Sequence, residues 1–176
     1  MKATGIVRRI DDLGRVVIPK EIRRTMRIRE GDPLEIFTDK DGEVIFKKYS
    51  PIGELSDFAS QICESLHKST DSTAAVCDRD SVIAVAGSAK RELGDKRVSA
   101  ELEHIMESRS PYRYDGGKAV FVTDSSEGHF VSAAVPIIAE GDVMGCVLFT
   151  TAGEPSACPD VEYKLAQTVA SFLGNV

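Results

Sequence analysis

Charge is distributed so unevenly along these 176 residues that the chain is best treated as two modules. Residues 1–50 carry 12 Lys and Arg against 9 Asp and Glu, a net charge of +3. Residues 51–176 carry the other 10 against 19, a net charge of −9, and the two values together give the −6 of the whole chain. A basic module is therefore hidden in an acidic chain, and each module has to be interpreted separately.

The positive charge is concentrated in residues 1–29, where nine Lys and Arg stand against three acidic residues. Four of these cations recur at i, i+3, i+4 and i+7, which predicts one cationic face on a short helix beginning at Pro19: Lys20, Arg23, Arg24 and Arg27. Like charges at this spacing repel each other unless an anion lies against them. The planar donor fork of arginine suits phosphates and guanine edges, so DNA is the predicted partner, and a solvated basic face is the alternative.

The rest of the first module has a β pattern. Strands are expected on either side of a turn at residues 11–14 and again on either side of a turn at 39–42, over residues 4–10, 15–18, 34–38 and 43–47. A module of this size without cysteine and with few large apolar side chains buries too little surface to be stable alone. We therefore predict an obligate dimer in which a second copy completes the core.

Three segments of this module carry a family resemblance. They read TGIVRRID from Thr4, LGRVVIP from Leu13 and EIRR from Glu21, and KKY follows from Lys47. This pattern resembles the AbrB-like swapped-hairpin DNA-binding family, in which two chains exchange hairpins to form one β-barrel-like core. The resemblance implies DNA contacts by arginines that the charge pattern also selects, with Arg9 and Lys20 as weaker candidates: Arg8, Arg15, Arg23 and Arg24.

Residues 51–176 have the pattern of a folded α+β domain. Helices are predicted over residues 52–66, 98–106 and 159–172, and strands over 73–77, 82–86, 119–122, 130–138 and 143–150, with Pro136 at a bulge or edge. Hairpin connections favour a mainly antiparallel sheet with the terminal helices packed together. This element order resembles a GAF-type sensor domain. The predicted fold class is thus α+β, with an AbrB-like domain at 1–50, a linker at 51–55 and a GAF-like domain at 53–176.

An AbrB-like head joined to a GAF-like domain resembles a family of transcription regulators from endospore-forming bacteria. The resemblance implies a protein that activates some genes and represses others late in sporulation. It also implies double-stranded DNA as a partner, and dimers that join into homotetramers through their C-terminal domains. The second domain would sense a signal or set the geometry of the oligomer.

The existence of a small-molecule ligand for the second domain is left open by the sequence. Cyclic-nucleotide-binding GAF domains carry an Asn-Lys…Phe…Asp pattern, and Asn175 is the one asparagine in this chain, so that ligand is not expected. One hypothesis is a pocket at residues 108–118, where Tyr112, Arg113 and Tyr114 are grouped. The other is an ordered loop that only helps dimer packing.

Enzyme motifs are missing from the sequence, since it contains no hydrolase, phosphate-loop or zinc signature. The four cysteines form no C-x-x-C pair and lie among apolar neighbours, which favours reduced, buried thiols: Cys63, Cys77, Cys146 and Cys158. A GAF-fold reductase would need reactive cysteines such as Cys77 and Cys146, but thiols inside apolar strands are usually inert. We expect no enzymatic activity, no cofactor and no metal.

An antitoxin built on the same head is the alternative function. Such proteins follow the head with a short, poorly folded segment that wraps a toxin, whereas residues 51–176 have the periodicity of a folded core. The sequence has no apolar run of about 18 residues and no signal-peptide pattern at its start. We therefore expect a cytoplasmic, DNA-binding transcription regulator without a membrane partner.

Overall fold

The computed structural model describes residues 2–125 and 128–176. The chain divides into two compact units, Met1–Tyr49 and Ser50–Val176, here called the first and the second unit. Within the described residues, no helix is both long enough and apolar enough to cross a membrane.

The first unit contains one helix and one hairpin. Helix α1 spans Lys20–Met26, and Pro19 occupies the capping position before it. Strands β1 (Leu34–Thr38) and β2 (Val44–Lys48) pair antiparallel, with Ile36 opposite Phe46. The helix and the hairpin both lie where the sequence pattern predicts them.

Residues 4–10 and 15–18 are not strands, in contrast to the sequence-based expectation. A strand requires a neighbour for its backbone groups, and these described residues have no strand partner within one chain. Their apolar side chains are correspondingly exposed, Val7 by 88% and Val17 by 68%. Unpaired backbone and exposed apolar side chains in the same segments are what a module completed by a second copy would show.

The second unit is built on one antiparallel sheet. Its five strands are β3 (Thr73–Asp78), β4 (Val82–Ala86), β5 (Tyr112–Arg113), β6 (His129–Ala139) and β7 (Asp142–Ala152). Their order across the sheet is β4-β3-β7-β6-β5. The long β6–β7 hairpin turns at Glu140 and Gly141, both of which have positive φ. The predicted antiparallel arrangement is confirmed.

Helices cover both faces of this sheet. They are α2 (Pro51–Glu54), α3 (Ser56–Thr70), α4 (Lys90–Leu93), α5 (Ala100–Ser108) and α6 (Asp160–Leu173). Side chains of α3 and α6 form one core with Val76, Val147 and Phe149, and side chains of α4 and α5 form a second core on the opposite face. The rings of Phe58 and Phe172 lie with their centroids 6.0 Å apart, so the predicted packing of the terminal helices is correct.

Several boundaries differ from the sequence-based expectation. The segment expected as a linker contains α2, capped by the Ser50 hydroxyl, which accepts a hydrogen bond from Gly53 N at 3.0 Å. Residues 119–122 are not a strand and contain a single bridge, from Phe121 to Phe130, and the short elements α4 and β5 were not predicted. Elements of two to four residues are shorter than the periodicity that would reveal them.

Pro136 lies within β6, opposite Cys146 of β7. On its other side β6 pairs with β5 through Ala133 and Ala134 alone, and the register with β7 shifts between Ile137 and Ile138. The proline therefore stands at an unpaired stretch of the strand next to a bulge. This is where a residue without a backbone N–H is tolerated.

Leu148 is fully buried on β7, so shortening it to alanine leaves a cavity in the core beneath α5. We predict that Leu148→Ala lowers the free energy of unfolding of the second unit by about 2–5 kcal/mol, as measured by urea denaturation. The matched control is Leu148→Met, which conserves volume and should cost less than about 1.5 kcal/mol. Equal losses for the two variants would contradict this view of the core.

Candidate nucleic-acid interface

The turn at residues 11–15 is organised by the carboxylate of Asp11. Its Oδ1 accepts hydrogen bonds from Leu13 N at 3.0 Å and Arg15 N at 2.8 Å. The backbone closes the same turn, since Asp11 N donates to Arg15 O at 3.0 Å. Gly14 has φ +76°, a left-handed conformation that glycine adopts without strain. The turn therefore has a defined shape although it lies in water.

The second oxygen of this carboxylate binds the side chain of Arg15. The Arg15 Nε lies 2.8 Å from Asp11 Oδ2, while the Arg15 side chain stays 69% exposed. The backbone N–H of Arg15, followed by its guanidinium, lowers the pKa of Asp11 below its ordinary value. A lowered pKa means that this contribution to stability is present above the ordinary pKa of Asp and is lost as the pH falls through the lowered value. At neutral pH the pair is intact.

The other candidate DNA contacts also lie on the exterior of the first unit. Lys20, Arg23 and Arg24 are exposed on α1, and Arg8 and Arg9 are exposed in the segment before the Asp11 turn. Arg23 is restrained like Arg15, because its Nε donates to Ile18 O at 3.2 Å. All six predicted residues are thus accessible, and two of them are held by their Nε.

Arg27 was predicted to lie on the cationic face of the helix, but it lies outside α1. Helix α1 ends at Met26, and Arg27 follows in the left-handed conformation with φ 51°. Its carbonyl oxygen accepts a hydrogen bond from Lys48 Nζ at 2.9 Å, which ties the helix end to β2. The helix breaks here because Ile28 N turns back to Arg23 O, a typical left-handed helix ending.

Asp11 is not among the candidate residues predicted from the sequence, although it binds one of them, Arg15. The available signal was the spacing Asp-x-x-Gly-Arg. An aspartate that caps a turn with one oxygen has its second oxygen free for a side chain on the far side of that turn.

The loop proposed as a pocket in the second unit is held by hydrogen bonds to the chain itself. Arg113 Nη2 donates to Cys158 O and to Asp160 Oδ1, both at 2.6 Å, and its guanidinium lies 5.1 Å from the centre of the Tyr163 ring. The Tyr112 hydroxyl donates to Lys118 O at 3.3 Å. These contacts anchor the start of α6 and order the loop.

The cysteines are buried and free. Cys77 and Cys146 lie opposite each other on β3 and β7 with their Sγ atoms 3.0 Å apart. Burial raises the pKa of Cys63 to about 12 and that of Cys158 to about 11. Contact with Cys77, and then burial, raises the pKa of Cys146 well above its ordinary value. Thiolate chemistry is therefore disfavoured at Cys63, Cys146 and Cys158.

Each unit matches a known protein family. Residues 54–176 match the family model described as "Stage V sporulation protein T C-terminal, transcription factor", and residues 7–53 match "Antidote-toxin recognition MazE, bacterial antitoxin". Stage V sporulation protein T of Bacillus subtilis (strain 168) is 52% identical over 176 residues, which cover 99% of this chain and 98% of that protein. The chain belongs to the stage V sporulation protein T family.

A further relative is similar to the first unit, and a solved structure has a fold like that of the second. The transition state regulatory protein AbrB of Bacillus subtilis (strain 168) is 57% identical over 63 residues, covering 32% of this chain and 65% of AbrB. The GAF domain of an Acinetobacter phosphoenolpyruvate-protein phosphotransferase superposes with a TM-score of 0.51 at 11% identity, covering 73% of this chain and 82% of that one. An AbrB-like head and a GAF-like fold in an α+β protein are thus confirmed. The predicted function is confirmed as that of a DNA-binding transcription regulator of sporulation.

All four cysteines are buried, so their thiols should react slowly in the folded protein. At pH 8 a pKa of about 11 leaves about one Cys158 in a thousand as thiolate, and a pKa of about 12 leaves about one Cys63 in ten thousand. We predict negligible iodoacetamide labelling of all four cysteines within an hour, measured by mass spectrometry, and complete labelling in urea. Rapid labelling of native Cys77 or Cys146 would support the enzyme hypothesis instead.

Proposed function

We propose that two copies of the first unit form one DNA-binding head and that a single cationic surface on this head contacts the duplex through Arg8, Arg9, Arg15, Lys20, Arg23 and Arg24. The observation that carries the proposal is the exposure of all six side chains in an otherwise acidic protein. Arg15 and Arg23 are also restrained at Nε, so their terminal nitrogens need less ordering when they bind.

Most contacts of such a surface would go to phosphates. Phosphate contacts fix the register of a protein on DNA, whereas base edges and DNA shape supply the sequence preference. Helix α1 has only 7 residues, and the remaining candidates lie on turns and extended segments. We propose a broad selectivity that depends partly on the shape of the duplex.

The pairing of two first units into one head is supported by the exposed apolar side chains of this unit. One face of the β1–β2 hairpin presents Ile36 and Phe46 side by side, with 60% and 44% of their surfaces exposed in one copy. A second copy would bury this face together with Val7 and Val17. The swapped-hairpin arrangement of AbrB-like proteins supplies such a core and is part of the proposal.

The second unit would join two such dimers into a homotetramer and set the spacing of the heads. A change in its packing, or an unidentified ligand, would then alter DNA binding, so that the protein activates some late-sporulation genes and represses others. It would act in the cytoplasm, where the chromosome lies. Deletion of residues 70–176 should change DNA affinity, and unchanged affinity in a fluorescence anisotropy assay would contradict this coupling.

An antitoxin role for the head is the second candidate, because residues 7–53 match a family model of antitoxins. Against it stands the second unit, a five-stranded sheet with a core on each face, where an antitoxin would have a poorly folded toxin-binding segment. The salt dependence of DNA binding separates the two candidates.

If about six phosphates are neutralised, the affinity of the full chain for an A·T-rich duplex should fall on the order of 10³-fold between 50 and 200 mM salt. Fluorescence anisotropy at several salt concentrations measures this slope. Arg24→Ala should weaken binding and reduce the salt slope, because one cation per copy is removed from the proposed surface. Lys40→Ala is the charge-matched control, since Lys40 is an exposed cation of the same unit outside the proposed surface. Flat, weak binding at every salt concentration would move the antitoxin role to first place.

The dimer proposal is tested by placing charge on the hairpin face. We predict that the double variant Ile36→Asp, Phe46→Asp halves the solution mass of the full chain, from four copies to two, and abolishes DNA binding, because buried unpaired carboxylates oppose association of the heads. Native mass spectrometry measures the assembly. Lys40→Asp in the turn of the same hairpin is the control and should leave the mass unchanged. A double variant that keeps the mass and affinity of the native chain would show that this face is not covered.

A further inference from the structure

The first unit contains the same five-residue turn twice. In the turn at residues 39–43, Asp39 Oδ1 accepts hydrogen bonds from Asp41 N at 3.0 Å and Glu43 N at 2.9 Å. Asp39 N donates to Glu43 O at 3.2 Å, and Gly42 adopts φ +84°. Each of these features has its counterpart in the turn at residues 11–15. The spacing Asp-x-x-Gly-x therefore builds one shape at both places.

The two turns differ at their fifth residue. In the first turn this residue is Arg15, whose Nε binds Asp11 Oδ2, and in the second it is Glu43, whose ionised side chain has no hydrogen to donate. The Asp39 turn thus forms with Oδ1 and backbone bonds alone. The bond between Asp11 Oδ2 and Arg15 is not needed to build the turn.

On charge alone, the bond between Asp11 and Arg15 should weaken DNA binding. Asp11 places a carboxylate beside a guanidinium that is proposed to meet phosphates, so its negative charge should repel the duplex. A structural role does not explain the bond, because the Asp39 turn dispenses with it. The bond does restrict the orientation of Arg15. It holds the Nε of a long side chain that is 69% exposed.

We propose that Asp11 is a positioning residue for DNA binding, which holds Arg15 through Oδ2 so that the exposed end of the guanidinium is aligned before the duplex arrives. The inference rests on the proposed function, in which Arg15 contacts DNA. Asp11 itself touches no DNA, and its effect is transmitted entirely through Arg15. The benefit of alignment exceeds the repulsion of one carboxylate.

The deciding variant is Asp11→Asn in the full chain. Asparagine keeps an acceptor for Leu13 N and Arg15 N, but its amide nitrogen cannot accept the bond from Arg15 Nε. Loss of one charge-assisted hydrogen bond per copy should weaken binding to an A·T-rich duplex by about threefold to tenfold. Simple electrostatics predicts the opposite sign. Binding at least as tight as that of the native chain would overturn the proposal.

Asp39→Asn is the matched control, with the same turn, the same unit and the same change of charge. Its affinity for the duplex should be unchanged or tighter. An equal loss of affinity in both variants would show that turn stability, and not the alignment of Arg15, is responsible, and would overturn the proposal. Thermal melting of both variants measures their stability directly, and both variants are expected to remain folded at the temperature of the binding assay.

A double-mutant cycle separates this inference from the proposed function. In an Arg15→Lys background the charge remains but the Nε is gone, so Asp11→Asn should lose its penalty there. A penalty that persists would overturn the positioning role. Arg15→Ala alone tests the proposed function: unchanged affinity in that variant would remove Arg15 from the interface and the inference with it. A loss with Arg15→Ala but none with Asp11→Asn would leave the interface intact and refute only the positioning role.

Discussion

The first unit cannot bury its apolar side chains within one chain, and the proposed pairing of two copies depends on this. Its extended segments present Val7 and Val17 to water and have no strand neighbour. An association that buries them brings two sets of arginines onto one body, because the same short segments carry both kinds of residue. In the proposed dimer, stability and DNA binding are therefore coupled through pairing, because a single first unit leaves these apolar side chains exposed.

The second unit solves the same burial problem internally. Successive residues of β3 point to opposite faces of the sheet, so Val76 enters the core under α3 and α6 while Cys77 enters the core under α5. Helices cover both faces of the sheet, and Glu162 of α6 is a buried acidic residue of this unit. The second unit therefore has a complete core within one chain, whereas the first unit does not.

The sequence predicts best the elements whose apolar pattern repeats over many residues. The helices α3, α5 and α6 and the β6–β7 hairpin repeat their apolar positions often enough to be recognised, and the six cationic residues stand out against an acidic chain. Strands at residues 4–10 and 15–18 were expected and are not present in one chain, because pairing between strands is not encoded by either strand alone. The end of α1 at Met26 was missed for a local reason, the left-handed conformation of Arg27.

Asp11 shows what a count of charges leaves out of the proposed DNA-binding surface. A count of charges simply subtracts this carboxylate from the basic face. In the structure one of its oxygens shapes the turn, and the other binds the side chain of Arg15. The Asp39 turn separates the two roles, since the same shape persists where the fifth residue cannot donate a hydrogen bond. Positive charge brings a protein to DNA, but a flexible guanidinium still has to be ordered on arrival, and a neighbouring acid can supply part of that order in advance.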